Sequence, residues 1–223
     1  MAWIIILLVM VASYIIQLTL QNRINKYSRI ASPHGLTGAD VARLMLEQNG
    51  ITDVKVQSVS GKLTDHFNPT DKTINLSEPV FAQASIAAVA IAAHETGHAV
   101  QHAKGYAPLK LRSAIVPVVT FANNTVQWVL LAGVLLMNIF GPSLLWLGIA
   151  LFAFTTLFSF ITLPVEINAS QRAVQWLESA GIVDDSTKPM AADALKWAAY
   201  TYVIAAIGSL ATLFYYISLA ERR

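Results

Sequence analysis

The chain has 223 residues, of which 55% are hydrophobic and only 13% charged. Soluble domains carry roughly 25% charged residues, so a purely water-solvated setting is excluded. A net charge of +2 without any long basic run leaves no footprint for nucleic acid. The absence of cysteine removes disulfides and thiolate chemistry, and leaves His, Asp and Glu to hold any metal.

A bilayer core of about 30 Å takes about 20 apolar residues in helix, and four stretches meet that length. The first, residues 2–20, is uncharged and is followed by Arg23, Lys26 and Arg29. It lacks a positive leading region and a small-residue cleavage pattern, so it reads as an anchor and not as a cleaved signal peptide. The segment 21–113 then carries an α+β pattern. Thr37 and Asp40 form a capping box that opens a helix with Val41, Leu44 and Met45 on its apolar side, and Asn49-Gly50 closes it. Residues 54–60 alternate with period two, and 62–67 and 72–77 flank the turn Asn68-Pro69-Thr70-Asp71 as a hairpin. A helix is expected over 86–104, capped by Ser85 and stopped by Gly105 and Pro108. Spans two and three, 115–137 and 143–163, are joined by a tight turn as a membrane hairpin. A polar helical segment, 164–197, precedes the fourth span, 198–219.

The helix 86–104 contains His94-Glu95-Thr96-Gly97-His98. At 3.6 residues per turn, two residues four apart lie about 40° apart on one face, so both imidazoles can reach one cation at about 2.0–2.1 Å. Glu95 is offset by about 100°, within reach of a water beside the cation but not of the cation itself. His102 continues the spacing, but it lies about 12 Å along the helix from His94 and cannot share the ion. A catalytic zinc site takes three protein ligands and keeps a fourth position open. Glu166 is the best candidate for the third, because a carboxylate beside a membrane span is costly without a partner. The hairpin of spans two and three also returns the chain to its starting side, so 21–113 and 164–197 share a face. Glu178, Asp184 and Asp185 compete, and an ion pair with Arg172 is the structural alternative for Glu166.

The pieces "LTDHF", "INLSEP", "IAAVAIAAHETGHAVQH" and "LPVEINASQRA" together resemble the YugP-type neutral zinc metallopeptidases of bacterial membranes. More distantly they are similar to the heat-shock and CAAX-processing integral-membrane zinc proteases. The resemblance runs over nearly the whole chain and implies His94, His98 and Glu166 as ligands of one zinc ion, with Glu95 as general base. Asn68 and Asn168 stand where the family often has Asp, and Ser170 stands where the distant relatives have Asp. No carboxylate behind the ligands is thereby assigned.

The expected fold is a mainly α membrane protein. About four transmembrane helices carry a small α+β zinc-metallopeptidase-like domain with a short β-hairpin or sheet. The expected activity is hydrolysis of peptide bonds in peptides or membrane proteins, bound in extended form at the bilayer surface, by a zinc-activated water. His66, Arg172, His102 and Tyr202 are candidate oxyanion donors. His66 is preferred, as it sits on the hairpin before the catalytic helix, whose strand Thr73–Ser77 offers an edge for strand addition. Ten of the 15 Lys/Arg fall in 21–113 and three in 164–197, which puts the site on the cytoplasmic face of a bacterial plasma membrane. Arg222 and Arg223 argue the other way. The alternative is a membrane scaffold or adaptor with a structural zinc, which a fourth protein ligand such as His66 would favour.

Overall fold

A computed structural model describes residues 2–221. Among these, the order is α1 (Ala2–Tyr27), α2 (Gly38–Gln48), β1 (Lys55–Val59), β2 (His66–Asn68), β3 (Thr73–Ser77), α3 (Glu78–Ala82), α4 (Ile86–Ala103), α5 (Ala107–Leu135), α6 (Met137–Phe140), α7 (Ser143–Ser179) and α8 (Lys188–Glu221). The chain is mainly helical with one small sheet. Helices α1, α5, α7 and α8 are long and apolar enough to cross a membrane. Hydropathy marks only the apolar part of each rod. Helix α7 therefore joins the expected span 143–163 and the polar helix after it into one element, continuous through Pro164.

The chain divides into two compact units. One comprises residues 2–15, 110–164 and 201–221. Its interior is small, with Val126, Leu130, Leu145, Ile149 and Ala220 buried together. Its outside is apolar: Leu8 is 62%, Phe121 66% and Trp128 64% exposed. That inversion of the soluble pattern suits lipid as solvent. Helices α5 and α7 meet at Gly133, where an added Cβ would lie 2.7 Å from the Cα of Leu145. Small residues at such contacts replace the hydrophobic drive that lipid does not supply.

The other unit comprises 16–109 and 165–200. Helix α2 opens with the capping box, in which the Thr37 hydroxyl accepts from the Asp40 N–H and the Thr37 N–H donates to the Asp40 carboxylate. The Thr37 hydroxyl, donating to the Asp40 carboxylate at 2.6 Å, and the Thr37 N–H together hold that carboxyl below its ordinary value. Val41, Ala42, Met45 and Leu46 of α2 enter one core with Ile74 and Leu76 of β3, the first half of α4, and Ala173 and Leu177 of α7. Helix α4 is alanine-rich and buried through Ala87, Ala88, Val89, Ala90, Ala92 and Ala93. Its first half, apolar all round, belongs inside, and its small side chains let neighbours come close.

The sheet order is β1-β3-β2, with β1 parallel and β2 antiparallel to β3. The hairpin of β2 and β3 forms around the turn read from the sequence. Strand β3 is nonetheless the middle strand and is buried throughout, so Thr73–Ser77 is not an open edge and cannot accept an added strand. Period-two alternation locates strands, but it does not say on which side β1 pairs, and here β1 takes the flank of β3 that the hairpin left free. The open edge near α4 is that of β2. Phe67 sits opposite Ile74, and its N–H donates to the Glu95 carboxylate at 3.1 Å.

Candidate metal centre

Helix α4 presents His94 and His98 one turn apart, with rings edge to face at 4.8 Å. Helix α7 brings Glu166 between them. Its Oε2 lies 3.3 Å from His94 Nε2 and 3.4 Å from His98 Nε2. Glu166 is 2% exposed and His98 7%. Burial by itself would raise the Glu166 carboxyl, but hydrogen bonds with the two histidines outweigh it and hold the carboxyl below the usual carboxylate range. Burial likewise opposes charge on His98, yet the bond to Glu166 and the charges of Glu95 and Glu166 hold it above its usual value.

The far nitrogen of each ring is also engaged. His98 Nδ1 meets the Gln101 Oε1 at 3.0 Å, and His94 Nδ1 meets the Ser170 Oγ at 3.1 Å. An amide oxygen only accepts, so His98 donates from Nδ1 to Gln101, and Nε2 is the nitrogen it offers toward Glu166 or a cation. The Ser170 hydroxyl can donate or accept, so it engages His94 Nδ1 in either tautomer. Glu95 is half-buried on the adjacent face of α4, its Oε2 accepting from Phe67.

The two helices approach this closely because Gly97 has no side chain. A Cβ there would stand 2.9 Å from the Ala169 carbonyl oxygen and 3.3 Å from its Cα. Gly97→Val is expected to destabilise the protein by about 1–3 kcal/mol through overpacking. It should also lower zinc occupancy, because His98 and Glu166 move apart. Thermal melting and metal stoichiometry check both.

Of the other residues singled out, His102 is exposed near the end of α4, with its ring 5.8 Å from that of Phe67. His66 is exposed on β2, where Nδ1 lies 2.8 Å from the Thr64 carbonyl and Nε2 3.2 Å from the Asn75 amide. Those bonds use both ring nitrogens within the hairpin, where His66 braces the sheet. Arg172 donates to Asn168 at 2.7 Å and not to Glu166. Glu178 pairs with Lys188, and Asp184 caps the start of α8 through Ser186 and Thr187. The latter bonds hold the Asp184 carboxyl at about 2.

The donor set suits zinc. Bonds of about 2.0–2.1 Å in tetrahedral array put neighbouring ligand atoms about 3.3 Å apart, which is the spacing of Oε2 from both Nε2 atoms. The three ligand atoms lie within 4.8 Å of one another, and among the described residues no fourth His, Cys, Asp or Glu joins them.

A family model described as "Putative neutral zinc metallopeptidase" matches residues 2–221. The chain belongs to this family. It is 42% identical over 205 residues to "Putative membrane protease YugP" of Bacillus subtilis (strain 168), covering 92% of this chain and 90% of that protein. No solved structure matches it. For this zinc metallopeptidase family member, the residues that sequence reasoning missed are Gln101, Ser170 and the Phe67 N–H. Two of them had a signal. Gln101 lies three residues past His98 and Ser170 four past Glu166, so each shares a helix face with a candidate ligand.

Proposed function

We propose that the chain is a multi-pass membrane zinc endopeptidase that cuts extended segments of peptides or membrane proteins near the bilayer surface. The observation that carries this reading is the convergence of His94 Nε2, His98 Nε2 and Glu166 Oε2 from two helices far apart in sequence, with Glu95 beside them. His94, His98 and Glu166 hold one zinc ion and leave a fourth position for chemistry. Zinc bound there supplies Lewis acidity, lowering the pKa of a water toward about 7 and polarising a carbonyl. Glu95 takes the proton of the attacking water on its carboxylate and delivers it to the leaving amine.

Substrate binding falls to the outer edge of β2. Strand β2 is an edge of the sheet and runs beside Glu95, whose carboxylate accepts the Phe67 N–H, and an extended peptide can pair along the rest of that edge. A cavity of about 380 Å³ lined by Ile167, Ser170, Val174, Leu195 and Lys196 borders the Ser170 that touches His94. It gives apolar room for a substrate side chain. The distribution of Lys and Arg favours the cytoplasmic face of the plasma membrane for the site.

The test is zinc analysis of the full chain in detergent or nanodiscs, followed by cleavage of an unfolded protein and of a membrane protein, each with and without a chelator. Bound zinc and chelator-sensitive, zinc-restored cleavage are expected. Bound zinc with no cleavage of either substrate would overturn the peptidase reading in favour of a structural zinc, and absence of zinc binding would overturn both.

A further inference from the structure

Gln101 is a fully buried amide, 0% exposed, one turn past His98 on α4. Burying an amide costs free energy unless its polar atoms are bonded, and these are. The Gln101 Oε1 accepts from His98 Nδ1 at 3.0 Å. Its Nε2 donates to the Val165 carbonyl at 2.8 Å and to the Asn168 Oδ1 at 3.0 Å. Asn168 Oδ1 in turn accepts from Arg172 Nε. Val165 immediately precedes Glu166, so one amide both orients the His98 ring and grips the α7 backbone next to Glu166.

We infer that Gln101 is the positioning residue of the metal centre, held in orientation by Asn168, and that it does the work a carboxylate commonly does behind a metal-bound histidine. Its fixed flip follows from its partners: both acceptors, Val165 O and Asn168 Oδ1, demand N–H donors, which leaves Oε1 for the ring. The His98 tautomer is then set before any cation arrives. The outer shell is also neutral, with an amide behind His98 and the Ser170 hydroxyl behind His94. A neutral acceptor leaves the imidazole less electron-rich than a carboxylate would. This inference rests on the reading of His98 as a zinc ligand.

The test measures zinc affinity by chelator competition on the full chain in detergent, with the visible absorption of the cobalt-substituted protein as a second readout of ligand geometry. Gln101→Met keeps the volume and removes every polar bond; it is expected to weaken zinc by about 10–100-fold and to shift the cobalt bands. Asn168→Asp keeps the acceptor for both Gln101 and Arg172 and should bind zinc as the wild type does, whereas Asn168→Leu should weaken it. Circular dichroism of the metal-free variants confirms that they are folded. If Gln101→Met does not fold, Asn168→Leu and its rescue by Asn168→Asp decide the matter alone. Wild-type affinity and an unchanged cobalt spectrum in Gln101→Met, or in Asn168→Leu where that variant decides, would overturn the inference while leaving the zinc site standing. A wild-type protein that binds no zinc would overturn both.

Discussion

Glu95→Gln is expected to lower the turnover of peptide substrate by about 10²–10⁴-fold, the usual contribution of a positioned general base, and to leave zinc affinity unchanged. The substitution is nearly isosteric. A glutamine oxygen can still accept the Phe67 N–H that the carboxylate now accepts at 3.1 Å, so neither α4 nor the edge of β2 has reason to move. What is lost is the ability to take a proton at pH 7. Because Glu95 is not one of the three converging ligand residues, metal content separates this variant from one that has lost the site. Zinc analysis and kcat on the same preparation decide the matter. Turnover close to that of the wild type with zinc still bound would remove Glu95 from the mechanism. Loss of zinc together with turnover would make it a ligand instead of a base.

The parts of the fold that were legible in the sequence are those with local causes. The four apolar stretches, the Thr37–Asp40 capping box and the turn before β3 each depend on residues a few positions apart, and each forms as the pattern requires. The His94–His98 pair is local for the same reason. Glu166 is far away in sequence, yet accessible by topology, because a two-span hairpin leaves few places for a costly carboxylate to find partners. What stayed hidden is set by packing between segments. Strand β3 looks like an edge until β1 pairs with it, and alternation carries no information about that choice. Gly97 looks like a weakness in a helix, costing about 1 kcal/mol against alanine, until Ala169 of α7 is found against it. Gln101 stands where a longer zinc pattern has a glycine three residues past the second histidine, so by sequence it reads only as a departure from that pattern. Only the position of the Val165 carbonyl shows why an amide, with a donor and an acceptor, is suited there.

Glu166→Gln is expected to weaken zinc by more than the 10–100-fold that loss of an outer partner costs, because it removes the only negative charge from the ligand set and leaves two neutral imidazoles. The effect should exceed that of any other acidic residue in the same part of the chain. Glu178 is paired with Lys188, and Asp184 is engaged with Ser186 and Thr187 at the start of α8. Asp185 is exposed. Glu178→Gln, Asp184→Asn and Asp185→Asn are therefore expected to keep wild-type zinc affinity, whatever they do to stability. Glu166→Asp retains the charge but draws the oxygens back by one methylene from imidazoles that now stand 3.3 and 3.4 Å away, and should fall between the wild type and Glu166→Gln. Chelator competition across the series gives the ranking. Undiminished affinity in Glu166→Gln, or a greater loss in Glu178→Gln, would move the third ligand off Glu166. A ranking of Asp above Gln would show that charge, and not merely an oxygen at that place, is what the two histidines require of α7.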